Sequence, residues 1–239
     1  MSNSSLVDYV RLSPNHSGPR DHRIDTVSIH CMAGDLSVES CGALFANPAV
    51  EASSNYGIGS DGRIALYVDE ANRSWCTSSA LNDNRAVTIE VANIEAQEPY
   101  RISDAAYRSL ILLLADICRR NKIPELRWMA NPALIGNTSR QNMTVHRWFA
   151  NKACPGQWLF EHHGQIAADV NTELEEDMER WKTLNDVPAG FYRQQVQRYM
   201  EMGVIKGDDK GVIDLTKDMV RSQIFNERMI DLKLKELQG

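Results

Sequence analysis

Two short apolar segments, each rich in β-branched residues, constrain the fold of this chain most strongly. Thr26–His30 reads TVSIH and Ala86–Ala92 reads AVTIEVA. Both are predicted to be buried strands, because β-branched residues favour extended backbone and the segments carry almost no charge. Buried strands need cover on their faces, so we expect a sheet with flanking helices.

A hairpin and a long helix are predicted from more local signals. Residues 54–59 and 64–68 are predicted strands, and Asp61-Gly62 between them favours a tight turn. Asp104–Asn121 is a predicted helix, because its apolar residues recur at helical spacing. Strands and helices therefore alternate along the chain, which favours an α/β fold.

The composition divides the chain into two parts. Residues 1–172 are predicted to form an α/β domain with a mixed central β-sheet flanked by helices. Residues 183–239 are predicted to form a small helical module, from amphipathic segments at Pro188–Met202 and Leu215–Leu237. So short a module would have a marginal core of its own.

Charge and hydrophobicity exclude several classes of protein. The 239 residues are 43% apolar and 24% charged, as is typical of globular proteins. No apolar run approaches the about 20 residues that span a bilayer, so we expect no membrane segment. The net charge of −6 argues against nucleic acid as a partner. The start of the chain lacks the features of a secretory signal, so synthesis in the cytoplasm is expected.

Two histidines and a cysteine form the most distinctive group of chemically active residues. His146 and Cys154 lie eight residues apart, and a Pro-Gly pair follows the cysteine. Borderline and soft donors near one turn suit zinc, and His30 at the end of a predicted strand is a third candidate. Three such ligands would leave zinc one open position, which is typical of catalytic sites.

A structural role for these residues is the competing interpretation. A histidine at a strand end is usually hydrogen-bonded structure, and a cysteine among apolar residues is usually part of the core. Five cysteines without a secretory signal favour free thiols or a metal ligand over disulfides. The remaining histidines compete as ligands: His16, His22, His162 and His163.

Four motifs in a fixed order carry a family resemblance. They are IHCMAG at Ile29–Gly34, SSNYGIGSDGRI at Ser53–Ile64, VTIEVAN at Val87–Asn93 and HRWFANKACPGQW at His146–Trp158. Together they resemble the zinc-dependent N-acetylmuramoyl-L-alanine amidases, a family that includes phage lysozyme-type amidases and peptidoglycan recognition proteins. The resemblance covers about residues 20–170 and implies a mixed central sheet with helices.

The resemblance also implies a ligand set and a catalytic lysine. His30, His146 and Cys154 match the three metal ligands of the family, so Zn²⁺ is the expected cofactor. Lys152 matches a catalytic lysine whose ammonium group would stabilise an oxyanion. The competing interpretation of Lys152 is a solvated surface lysine.

Two more catalytic residues are implied by position. Glu90 matches an acidic residue of one branch of the family, and it would act as the general base on water. A carboxylate among apolar neighbours is costly unless it is used or paired. Tyr56 matches a family tyrosine near the metal and would hydrogen-bond the oxyanion or orient water. The alternative for Tyr56 is an aromatic residue of the core.

The function implied is hydrolysis of peptidoglycan, at the amide between the lactyl group of N-acetylmuramic acid and L-alanine. We expect a phage or prophage endolysin that acts at the cell wall after release. One alternative is a non-catalytic recognition module of the same fold, which would not need a ligand such as Cys154. Another is a cysteine peptidase using Cys154 with His146, but Cys-Pro is a poor context for a nucleophile.

The C-terminal segment has a weaker resemblance. Leu184–Arg221 is similar to a single S-layer homology repeat, which implies binding to a secondary cell-wall polymer. Basic residues cluster there, at Arg193, Arg198, Lys206 and Lys210. The alternative is a helix pair that packs on the enzyme or forms a homo-oligomer.

Overall fold

A computed structural model describes most of the chain. The described residues are 2–178, 181–208, 212–213, 215–217, 219–224 and 226–227. The chain divides into two compact units, Met1–Glu173 and Leu174–Gly239. No helix among the described residues is both long enough and apolar enough to cross a membrane.

The first unit is built around a mixed sheet. Its strands and those of a small second sheet are β1 (Tyr9–Val10), β2 (His16–Ser17), β3 (Thr26–Cys31), β4 (Tyr56–Ile58), β5 (Ile64–Leu66), β6 (Arg73–Ser74), β7 (Ala86–Val91) and β8 (Met143–Thr144). The main sheet has the order β1-β5-β4-β7-β3-β8, and β2 pairs with β6. The strands β4, β7, β3 and β8 are parallel, whereas β5 is antiparallel to β4. The predicted α/β fold with a mixed central sheet is confirmed.

The α-helices named among the described residues are α1 (Val38–Phe45), α2 (Ala80–Arg85), α3 (Asp104–Asn121), α4 (Gln157–Met178) and, in the second unit, α5 (Phe191–Glu201). The strands of the first unit are contacted by α1, α2 and α3. The bounds of α3 are those predicted, because Ser103 caps the helix by accepting a hydrogen bond from the Ala106 amide. The helix α4 begins at Gln157, so His162 and His163, which were considered as competing ligands, lie inside this helix.

The predicted hairpin is present, with its turn at Asp61-Gly62. The strands β4 and β5 pair antiparallel as expected. Only Gly62 in the turn has a positive φ, at 87°, while the Asp61 carboxylate accepts a hydrogen bond from the Arg63 amide. Asp61 therefore stabilises the turn through its side chain and not through a left-handed backbone.

One face of the sheet carries the polar side chains that matter for function. His30 of β3 pairs in register with Glu90 of β7, so both side chains project from the same face. Thr26 and Ser28 precede His30 at alternate positions and share that face. The intervening residues are apolar and fully buried, which fixes the strand register by their packing.

The second unit has a hydrophobic core of its own. It consists of Trp181, Val187, Val196, Ile213, Leu215 and Val220. Helical residues at 217, 219–224 and 226–227 agree with the start of the predicted helix Leu215–Leu237, whose remainder lies outside the described residues. Lys210 of the basic cluster also lies outside them.

Candidate metal centre

Three side chains that are distant in sequence meet above the polar face of the sheet. The donor atoms of His30, His146 and Cys154 all lie within 4.8 Å of one another. His30 comes from β3, His146 begins a short 3₁₀ helix after β8, and Cys154 precedes α4. The Cys154 Sγ atom is 3.3 Å from His30 Nδ1, and the two histidine rings have centroids 5.2 Å apart. The structure therefore brings together all three predicted ligands.

Ser28 fixes the orientation of the His30 ring. Its hydroxyl donates to the Thr144 carbonyl at 3.1 Å and contacts His30 Nε2 at 3.1 Å. A hydroxyl has one proton, so it accepts from Nε2, which must then carry the hydrogen. This tautomer leaves the lone pair of Nδ1 facing Cys154, as in metal sites where an outer hydrogen bond orients the ligand.

His146 has a similar partner on a loop before β7. The Ser78 hydroxyl lies 3.1 Å from His146 Nε2, which leaves Nδ1 for a ligand. Ser78 has a left-handed backbone with φ 63°. The buried carboxylate of Asp83 stabilises this loop by accepting hydrogen bonds from the amides of Cys76 and Thr77.

Glu90 lies beside the three predicted ligands with an unsatisfied oxygen. Its Oε1 is 3.9 Å from His30 Nδ1 and 3.9 Å from the Cys76 thiol. Its Oε2 is buried and has no hydrogen-bond partner among the described residues. Burial, followed by the nearby Cys31, raises the pKa of Glu90 well above its usual range. A carboxylate held in this way lacks a countercharge.

The charge states of the donors suit a cation. Burial, followed by the neighbouring His146, lowers the pKa of His30 well below its ordinary value. Burial, followed by Lys152, also lowers the pKa of His146. Neutral imidazoles are the form that binds metals. The hydrogen bond with Cys31 raises the pKa of Cys154, so a cation would be needed to hold its thiolate. The cluster thus has the composition and electrostatics of a His/Cys metal site.

Lys152 is an exposed residue on the loop between His146 and Cys154. It lines an open groove of about 770 Å³ together with Arg147, Asn151 and Gln157. The lining of the groove includes Arg147 and Ala153, the chain neighbours of His146 and Cys154. Lys152 is close enough to His146 to help lower the pKa of that histidine.

Tyr56 was expected near the metal, and the structure corrects this prediction. In the pairing of β4 with β7, Gly57 lies opposite Glu90, so the neighbouring Tyr56 projects from the other face of the sheet. Its hydroxyl donates to Glu70 at 2.6 Å and accepts from the Ser4 amide at 2.9 Å. Tyr56 is fully buried, and its contacts are those of a structural residue.

Sequence reasoning missed three residues that position the site. Ser28 had a usable signal, because it lies two residues before His30 on a predicted strand and must share its face. Ser78 and Asp83 had none, since the short polar helix α2 carries no hydrophobic periodicity. Their role depends on a loop conformation that the sequence alone does not specify.

Comparison with known proteins identifies the family of this chain. The family model described as N-acetylmuramoyl-L-alanine amidase matches residues 20–157. The chain belongs to the N-acetylmuramoyl-L-alanine amidase family. It is therefore an enzyme, an amidase that acts on peptidoglycan, and the cluster of His30, His146 and Cys154 lies inside the amidase region or at its edge.

Solved structures show the same fold as this amidase. AmpD, as a selenomethionine derivative, is 19% identical with a TM-score of 0.51, and the match covers 69% of this chain and 96% of that one. The Staphylococcus aureus hydrolase AmiA in complex with its ligand is 16% identical with a TM-score of 0.51, covering 74% and 87%. PlyL is 12% identical with a TM-score of 0.50, covering 69% and 96%. No curated protein sequence matches the amidase.

Proposed function

We propose that the amidase holds zinc through His30, His146 and Cys154, and cuts the bond between the lactyl group of N-acetylmuramic acid and L-alanine. The observation that carries this proposal is the meeting of two neutral imidazoles and a thiol beside the unpaired oxygen of Glu90. Two nitrogen donors and one sulfur donor fit the ligand preference of Zn²⁺. When bound, zinc would supply a Lewis acid that polarises the amide carbonyl and makes water acidic.

Glu90 is the general base of the proposed reaction. Its carboxylate takes a proton from the attacking water and returns it to the departing amine of L-alanine. The distance of 3.9 Å between Oε1 and His30 Nδ1 supports a base next to the ligand cluster. The unsatisfied Oε2 supports the assignment, because a buried carboxylate oxygen without a partner is costly unless the group is used.

Lys152 stabilises the oxyanion that forms when water attacks the amide. An ammonium group on a flexible stem at the mouth of the groove can reach the developing charge. The proposed alternative, a recognition module without catalysis, needs no general base. The presence of Glu90 with a complete donor set therefore favours the enzyme.

We further propose that the amidase acts at the cell wall after release from the cytoplasm, as a phage or prophage endolysin. The support is a second unit with a hydrophobic core of its own. A separate unit that attaches to an insoluble polymer raises the effective concentration of the enzyme at its substrate. The anionic secondary polymer of the wall is the proposed partner.

Digestion of purified peptidoglycan tests the bond assignment. Mass analysis should find glycan strands that keep the lactyl group and peptides with a free L-alanine amine. Products cut inside the glycan or inside the stem peptide would contradict it. The Lys152→Met variant should give the same products at a rate lower by about 10²–10³-fold.

A further inference from the structure

We propose that Cys76 is a positioning residue, whose thiol donates a hydrogen bond to the Glu90 carboxylate and holds it toward the ligand cluster. This inference rests on the proposed function, because it concerns the base of that reaction. The Cys76 Sγ atom lies 3.9 Å from Glu90 Oε1, a distance suited to the weak hydrogen bond of a thiol. The same oxygen lies 3.9 Å from His30 Nδ1. The thiol therefore contacts the carboxylate oxygen that is next to the proposed ligands.

The sheet by itself does not fix the Glu90 side chain. Its cross-strand neighbours are His30 on β3 and Gly57 on β4. Glycine has no side chain to offer, and the unprotonated Nδ1 of His30 cannot donate to a carboxylate. Among the described residues, the Cys76 thiol is the side-chain donor that Glu90 has. The orientation of the carboxylate thus depends on a residue outside the sheet.

The backbone on both sides of Cys76 is held by hydrogen bonds. The Cys76 amide donates to Asp83 at 3.1 Å, and the Thr77 hydroxyl donates to the same carboxylate at 2.6 Å. On the other side, the Trp75 amide donates to the Ser53 hydroxyl at 3.1 Å. Asp83 and Ser53 are both buried. The thiol therefore has a defined place from which it can orient a neighbouring group.

The protonated thiol is the form that suits this role. Cys76 is 9% exposed. Burial, followed by the nearby Glu90, raises the pKa of its thiol well above the usual range. A thiol that keeps its proton is a donor, whereas a thiolate would repel the carboxylate. The rival interpretation is a metal ligand, because the donor atoms of His30, Cys76 and Glu90 also lie within 4.8 Å of one another.

Kinetics of two variants of the full-length enzyme test the role. Cys76→Ala removes the donor and should lower kcat for a soluble muramoyl-peptide about fivefold. KM should not change, because the thiol acts on Glu90 and not on the substrate. Cys76→Ser keeps a donor at nearly the same place and should restore most of the wild-type kcat. Cys118→Ala is the matched control, because Cys118 is also a buried cysteine but lies on α3. Its kcat should equal that of the wild type.

Combination with Glu90→Gln shows whether Cys76 acts through Glu90. Effects of residues that act as a unit do not add, so Cys76→Ala should cause no further loss of kcat in Glu90→Gln. The same loss in both backgrounds, or a loss that Cys76→Ser does not restore, would overturn the proposal. A loss of zinc in Cys76→Ala would also overturn it, because Cys76 would then be a metal ligand.

An infrared measurement separates this inference from the proposed function. The S–H stretching band of Cys76 is found in each background by subtracting the spectrum of the same protein with Cys76→Ala. A hydrogen-bonded S–H absorbs at a lower frequency than a free one, so the band should move to higher frequency in Glu90→Leu and stay in place in Tyr56→Phe. This shift would support the hydrogen bond even if Glu90→Gln kept its turnover, an outcome that would contradict only the base assignment. An unchanged band in Glu90→Leu would overturn the inference, even if the enzyme cuts the proposed bond.

Discussion

Glu90 is the residue whose surroundings say most about the reaction. It lies on a central strand, near His30 and Cys76, with one carboxylate oxygen unsatisfied. A fold gains no stability from such a group, because burial of an unpaired carboxylate is unfavourable. The proposed role of Glu90 in proton transfer would account for a carboxylate at this position.

Glu90→Gln tests this role with little change of shape. Turnover of a soluble muramoyl-peptide should fall by about 10²–10⁴-fold, because the amide cannot accept a proton. Metal content should stay the same, since Glu90 is not one of the proposed ligands. Tyr56→Phe is the companion variant: it should keep its turnover, because Tyr56 projects from the opposite face. An unchanged rate in Glu90→Gln would show that another group takes the proton.

Ser28→Ala tests the orientation of His30. Without the hydroxyl, nothing fixes Nε2 as the protonated nitrogen, and zinc affinity measured by competition with a chelator should fall about 10–100-fold. Ser109→Ala is the control, because Ser109 also donates to a carbonyl, that of Gly62, but on α3. Equal zinc affinity in the two variants would rule out an orienting role for Ser28.

The types of the site residues could be predicted from the sequence, but the faces from which their side chains project could be predicted only in part. Local motifs identify His30, His146 and Cys154, since ligand types and their neighbours are written in the sequence. Tyr56 shows the limit, because a shift of one position along a strand moves a side chain to the other face. Only the pairing of Gly57 with Glu90 reveals which face Tyr56 takes.

At the level of helices, regular periodicity decided which elements were predictable. The helix α3 has it, and its bounds agree with the prediction. The helix α2 is short and polar, so its part in fixing the loop of Ser78 was not foreseen. The helix α4 begins early enough to include His163, which is fully buried and hydrogen-bonds the Leu159 carbonyl.

His163 should make the stability of the enzyme depend on pH. Burial lowers its pKa from 6.5 to about 4, so the folded state stays neutral where the unfolded state takes up a proton. Stability is therefore complete above about pH 6.5 and is lost as the pH falls toward 4. When the pH falls from 7.5 to 5, the free energy of unfolding of the wild type should drop by about 2 kcal/mol more than that of His163→Leu.

Urea unfolding at the two pH values measures this difference. His16→Leu, which replaces an exposed histidine, is the matched control. Equal losses in wild type and His163→Leu would show that His163 does not stay neutral in the folded enzyme.

For the molecule as a whole, composition predicts domains at residues 1–172 and 183–239, and the structure has two compact units, Met1–Glu173 and Leu174–Gly239. The contacts of the basic residues in the second unit were not predicted. Arg193 donates to the carbonyls of Val187 and Asn185, and Arg198 pairs with Glu227. These contacts join segments that are separated in sequence, so no local pattern predicts them. Arg193 and Arg198 of the basic cluster are therefore held by contacts within the second unit, whereas Lys206 is exposed.

Truncation after Met178 tests whether the second unit anchors the enzyme. Hydrolysis of small soluble muropeptides should be unchanged, whereas binding to intact walls should weaken. The difference should shrink at high salt, because exposed charges are screened. Sedimentation and melting of the same truncated protein test the rival interpretation. A changed mass or a lower melting temperature with unaltered wall binding would favour an oligomerising or packing role.

Metal content is the most direct test of the central claim. Elemental analysis of the purified wild-type enzyme should give about one zinc per chain, and Cys154→Ser should lose most of it. A chelator should abolish hydrolysis of peptidoglycan, and added zinc should restore it. Full turnover by the metal-free enzyme, abolished only when Cys154 is alkylated, would contradict the account and identify a cysteine hydrolase instead.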